Sequence, residues 1–182
     1  ASSFTSFESE GMEGAIKATV ELIEVALRVL PNEPKNLRRP VVDLSATHLS
    51  RWPEIPEHPA WENDPKTALR TAFQQGELML NLNVPPEWNG EVSTTRLGMR
   101  WYRDAVSFSS IESDEAATFT IGAASIDHSE VAQSDCDVVA EGKASVSCLP
   151  VWPQTHPLAL DDKLLTWALK SCEGGYPAWL YD

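Results

Sequence analysis

Basic residues are scarce in this chain. Lysine and arginine number 14 against 27 aspartates and glutamates, a formal charge of −13. A protein that holds nucleic acid by neutralising phosphates needs a basic patch or arm. The only adjacent basic pair is Arg38-Arg39, and the first sixteen residues contain no base. Tight nucleic-acid binding by this chain alone is therefore disfavoured. Long apolar runs are also missing: none approaches the ~20 residues that span a bilayer. The N-terminus has no charged region followed by an apolar stretch, as a signal peptide would. It also has no initiator Met, so the expectation is a chain released from something longer, whether a polyprotein, a tagged precursor or a Met-trimmed one. Cys136, Cys148 and Cys172 are odd in number and show no CxxC spacing. Reduced, buried thiols outweigh disulfide or metal roles. No Asn-x-Ser/Thr sequon occurs.

Catalytic signatures are equally thin. GxGxxG, GxxxxGK and GxSxG are absent, which leaves phosphate loops and nucleophile elbows without support. The histidines at 48, 58, 128 and 156 are scattered without HxxxH or HExxH spacing. Asp127-His128-Ser129-Glu130 gathers acid, imidazole and hydroxyl, but four consecutive residues rarely converge as a triad needs. A polar turn is the expectation there. Glu112, Asp114 and Glu115 form an acidic cluster without the spacing of a calcium loop. No catalytic residue, cofactor or metal is expected.

What is present is patterning. Residues 1–14, ASSFTSFESEGMEG, read as a flexible arm that Phe4 and Phe7 could anchor on a neighbour. In AIKATVELIEVALRVL, residues 15–30, Ile16, Val20, Ile23, Leu27 and Leu30 recur at helical spacing. A period of two also fits, and the Ala, Leu and Glu content favours helix. Residues 31–65 are loop-rich, with VVDLSA (41–46) a short strand candidate and prolines at 53, 56, 59 and 65 opposing ladder pairing. Asp64-Pro65 then opens a helix whose stripe is Ala68, Leu69, Ala72 and Phe73. Gly76 ends it. Leu78, Leu80, Leu82 and Val84 alternate with Glu77, Met79, Asn81 and Asn83, which predicts a strand with one face in a core. Asn89-Gly90 signals a hairpin turn into VSTTRLGMRWYR, where Leu97, Met99 and Trp101 share a face. Strands are further expected at 105–111, 117–126, 136–140 and 143–152. A closing helix is expected in LDDKLLTWALKSCEGG, capped by Asp161 or Asp162 and stopped by Gly174-Gly175. The aromatic tail YPAWLYD must dock on its own domain or on a partner.

So many short strands predict an all-β fold, a sandwich or a barrel. The division is an arm at 1–14, one domain at 15–175 and a tail at 176–182. Seven tryptophans are many for this length. Loop tryptophans beside prolines describe a protein–protein interface, where rigid aromatics supply most of the binding energy. The candidate interface residues are Phe4, Phe7, Trp52, Trp61, Trp88, Trp152 and Trp179. The alternative is a carbohydrate-binding β-sandwich module, with exposed Trp61 and Trp88 stacking on sugar rings.

The segment PKTALRTAFQQGELMLNLNVPPEWNGEVSTTRLGMRWY resembles the centre of picorna-like coat proteins, in which a short helix leads through a glycine turn into a strand and its hairpin partner. Leu69 to Ala72 is similar to the same step in comovirus small coat proteins, and ATFTIGAAS (117–125) is similar to a strand of picornavirus coats. The size suits a separate coat subunit of the cheravirus type, in the secovirus family of plant viruses. The resemblance implies an eight-stranded antiparallel jelly-roll sandwich with one or two short helices, serving as a non-enzymatic capsid subunit in an icosahedral shell around a positive-strand RNA. Its partners would be other coat subunits, with weak or indirect RNA contact and no membrane. Its location would be the virion, and the host cytoplasm during assembly.

Overall fold

A computed structural model describes residues 2–3, 9–30, 61–103, 106–113, 116–121, 125–129, 131–156 and 158–182. It is not a jelly roll. The elements run β1 (Ser2–Ser3), α1 (Ser9–Val29), α2 (Pro65–Gln74), β2 (Leu78–Val84), β3 (Val92–Thr95), β4 (Met99–Arg103), β5 (Val106–Ser113), β6 (Ala116–Ile121), β7 (Ser125–Ser129), α3 (Asp135–Ala140), β8 (Ala144–Pro150), α4 (Asp162–Ala168) and a 3₁₀ turn at Ala178–Leu180. Among the described residues, four helices pack with one small mixed sheet in the order β1-β2-β8-β3, and β4/β7 and β5/β6 form separate antiparallel pairs. The eight-stranded antiparallel sandwich is therefore replaced by an α+β arrangement.

Two local events account for the correction. Asn89-Gly90 does turn the chain: Gly90 has φ +88 and the Asn89 side chain accepts from the Glu91 amide at 2.8 Å. Yet β2 and β3 do not pair with each other. Strand β8 lies between them, antiparallel to β2 and parallel to β3. The second event is at CDVVA (136–140), expected as a strand. Ser134 caps a helix there, its hydroxyl accepting from the Asp137 amide at 3.2 Å. Asp135 and Asp137 place carboxylates in the first turn, where the helix dipole favours them.

The helix–glycine–strand junction forms as the sequence predicts. Asp64 caps α2 by accepting from the Thr67 amide at 3.1 Å, and Pro65 follows at the first turn. At the far end the Gly76 amide donates to the Phe73 carbonyl and the Glu77 amide to the Ala72 carbonyl. Those two bonds are the Schellman pair, and they need a left-handed residue between them. Gly76 supplies it with φ +68.

Register then defines the sheet's faces. Leu82 sits opposite Val146, Leu80 opposite Cys148, Val92 beside Ala144 and Thr94 beside Val146. That face carries Leu78, Leu82, Val84 and Val146 into a core shared with α1, α2, α4 and Trp179. The opposite face is polar yet also buried. Asn83, Thr95, Ser145 and Ser147 lie there under α3. Thr95 and Ser147 hydroxyls bond at 2.8 Å, and the Asn83 amide donates to Asp135 at 3.2 Å. Buried polar groups are tolerable when paired in this way.

Other expectations shift at their edges. VSTTRLGMRWYR is two strands, broken at 96–98. The Gly98 amide donates to Asp135 Oδ1 at 2.6 Å, and a Cβ on Gly98 would sit 2.8 Å from Cys136 Sγ. Leu97 and Met99, expected on a core face, are exposed. Helix α4 takes its cap from Asp161, as expected, but ends at Ala168, well before Gly174-Gly175. Gly175 instead makes the turn that returns the chain, with φ +82 and its Cα packed where a Cβ would drive into the Val92 carbonyl. The expected arm is structured in part: β1 pairs in parallel with Asn83 and Val84, and α1 already begins at Ser9. The strand candidate at 41–46 lies outside the described residues.

Candidate functional site

The aromatic residues expected at an interface are mostly occupied elsewhere. Phe4, Phe7 and Trp52 lie outside the described residues. Trp61 is half-buried against the core. Trp88 is half-buried as well. Its indole N–H donates to its own Glu91 carbonyl at 2.7 Å, and the Lys17 ammonium stands 5.7 Å from the ring centroid. Trp152 stacks on His156 with centroids 4.2 Å apart. Trp179, expected as a surface anchor, is 0% exposed. It packs against Phe73 and donates to Cys148 Sγ at 3.4 Å. The tail 176–182 folds back on its own domain, so its tryptophan is core.

Helix α2 holds that tail. Arg70 Nε donates to the Trp179 carbonyl at 2.7 Å and Arg70 Nη2 to the Tyr181 carbonyl at 2.9 Å, while Lys66 Nζ reaches the same Tyr181 carbonyl at 2.8 Å. Arg70 also pairs with the Asp182 side chain at 3.3 Å. Tyr176 lies over α1, its hydroxyl 3.5 Å from Glu21. Burial first, then the Glu21 charge, pushes its phenol up to about 12.

Among the described residues, chemistry-bearing groups do not converge. None of the three cysteines is in a disulfide. Burial pushes the Cys148 thiol up to about 11, which leaves almost no thiolate at neutral pH. Asp127, His128 and Ser129 lie in β7, paired to β4, so the expected polar turn is a strand. Glu112 is in β5, and Asp114 and Glu115 lie outside the described residues. Among the described residues no cluster of His, Cys, Asp and Glu is placed to hold a metal ion, and no helix is long and apolar enough to cross a membrane. Two open clefts border α1. One, of about 560 Å³, is lined by Glu21, Glu91, Cys172 and Tyr176; the other, of about 440 Å³, by Glu13, Lys17, Glu87 and Trp88. Both are acid-rimmed.

The surface feature that stands apart is α1 itself. Its helical stripe Ile16, Val20, Ile23 and Leu27 turns away from the core. Ala15, Ala18, Leu22, Val25 and Ala26 face the sheet, while Ile16 is 58% exposed, Val20 48%, Ile23 52% and Leu27 69%. Met12 extends the same exposed face. The sequence signal for two faces was present, since neither helical face is polar. Periodicity alone could not say which face turns inward.

Comparison with known proteins finds no matching family model and no matching curated protein.

Proposed function

We propose that this chain is a structural subunit whose work is assembly, serving as a coat protein of a picorna-like plant virus. The observation that carries the reading is the exposed aliphatic face of α1, formed by Ile16, Val20, Ile23 and Leu27. Contiguous apolar surface of this kind marks association sites. The resemblance of residues 65–102 to coat-protein centres gives the assembly its viral form, through the α2–Gly76–β2 junction. The reading no longer leans on a jelly roll, since β3 runs parallel to β8. A net charge of −13 fits a subunit that meets its sisters rather than RNA.

The sugar-binding reading loses its platform. Trp61 is against the core, and one face of Trp88 is taken by Lys17. Electron microscopy of native material, or of the chain expressed with its sister subunits, tests the proposal. Closed shells containing the chain are expected. A chain that stays out of every particle refutes it.

A further inference from the structure

The exposed residues of α1 are spaced 4, 3 and 4 apart: Ile16, Val20, Ile23, Leu27. That is the alternation of d and a positions in a heptad, with Val20 and Leu27 at a and Ile16 and Ile23 at d. Positions a and d form the narrow seam by which one helix packs on another. Position e, beside the seam, holds Lys17 and Glu24. Position g, on its other side, holds Met12, Thr19 and Ala26. The seam lies on the far side of the helix from Ala18 and Val25, which pack on the sheet. A second helix therefore has room.

The geometry points to self-association: α1 pairs antiparallel with α1 of a second copy of this chain. This deepens the assembly reading and rests on it for the stripe being a contact surface. The choice of occupant and direction follows from charge. In a parallel pair each e residue faces a g residue of the other helix, and g carries no charge here. Lys17 and Glu24 would gain nothing. In an antiparallel pair e faces e. With the two-fold axis between residues 21 and 22, Val20 meets Ile23 of the second copy and Ile16 meets Leu27. Lys17 then comes within one helical turn of Glu24 across the seam, twice by symmetry. The Lys17 side chain is largely exposed and its contacts are long: 4.0 Å to Glu21 within the helix and 5.7 Å to the Trp88 ring centroid, so reaching Glu24 of the second copy means leaving these. Such a contact is isologous and closed, as two-fold interfaces are.

Sedimentation equilibrium of the full chain reads this directly. A reversible monomer–dimer equilibrium is expected across the micromolar range. Ile23→Glu should abolish it, with an unchanged circular dichroism spectrum because the side chain is outside the core. Lys17→Glu and Glu24→Lys should each weaken the dimer by about tenfold or more, since each sets like charges face to face. The double variant Lys17→Glu/Glu24→Lys should return close to wild type. A chain monomeric at every concentration overturns the inference. So does a dimer indifferent to Ile23→Glu, a double variant no better than the singles, or a stripe that binds only a sister subunit. Particles that form from a chain monomeric alone would overturn the pairing and leave the coat reading standing. A dimer from a chain that never enters a particle would do the reverse.

Discussion

Arg70 is the residue on which the C-terminal tail depends, and its replacement separates two kinds of electrostatic contact. The side chain is only 17% exposed and donates to the Trp179 and Tyr181 carbonyls at 2.7 and 2.9 Å. Its ion pair with Asp182 is longer, 3.3 Å, and the Asp182 side chain is 90% exposed. Arg70→Met keeps much of the apolar stem and removes every donor. Each charge-assisted bond to a carbonyl is worth about 1.5–3 kcal/mol net. The Tyr181 carbonyl retains Lys66, so the second loss is partial. The sum is a destabilisation of roughly 2–4 kcal/mol. Asp182→Asn should be nearly neutral, because exposed ion pairs contribute little. Urea unfolding followed by tryptophan fluorescence measures both, and an unchanged slope would show that the unfolded state is not what moved. Protease sensitivity near residues 176–182 should rise in Arg70→Met alone. If Arg70→Met is as stable as wild type, or Asp182→Asn costs as much, the carbonyl clamp is not what holds the tail.

Four further outcomes follow from named contacts. Ser134→Ala should cost about 1 kcal/mol by removing the α3 cap, read as a lower urea midpoint. Gly76→Ala should cost roughly 1–2 kcal/mol for a forced left-handed conformation, and Gly175→Ala should be worse because its Cβ has no space beside Val92. Asp64 has its carboxyl held below the ordinary 3.8, chiefly by the Thr67 hydrogen bonds. Its contribution is thus complete above 3.8 and is lost as pH falls below it; Asp64→Asn should keep the cap and flatten that part of an acid titration of stability. Cys148, with its thiol near 11, should resist iodoacetamide at neutral pH in the native protein and react on unfolding.

Elements with a local cause were legible in the sequence. Asp64-Pro65 opening α2, Gly76 closing it, and the alternation Leu78, Leu80, Leu82, Val84 all act within a few residues, and all appear in place. Asp161 capping α4 is of the same kind. Topology was not legible. Whether Asn89-Gly90 returns β3 to β2 or lets β8 slip between them depends on residues fifty positions away. The α3 cap was readable in principle from Ser134 with acids at 135 and 137, but two adjacent valines (Val138 and Val139) suggested strand. Buried polarity on the α3 side of the sheet also misled. Ser145, Ser147 and Thr95 look solvent-facing in sequence and are instead buried, with Ser147 and Thr95 bonded to each other.

The orientation of α1 is the part of the candidate site that sequence could not fix, and its physical reason bears on function. A 21-residue helix with two apolar faces could bury either one. Burying Ile, Val and Leu side chains is worth about 1.5–3 kcal/mol each, so a monomer judged by area alone would turn Ile16, Val20, Ile23 and Leu27 inward. It turns in Ala15, Ala18, Leu22, Val25 and Ala26 instead, three of the five being alanine. Small residues let the helix axis come close to the sheet. At Gly14 the approach is such that a Cβ would touch both Val84 and Trp88 at 3.9 Å. Rotating the helix would push four branched chains into that gap and hold it off β2. The close contact and the exposed stripe are thus one choice seen from two sides. Alanines at 15, 18 and 26 set the fit to the chain's own sheet, with Leu22 and Val25 filling the space beside them, and Ile16, Val20, Ile23 and Leu27 are left exposed for another surface to cover.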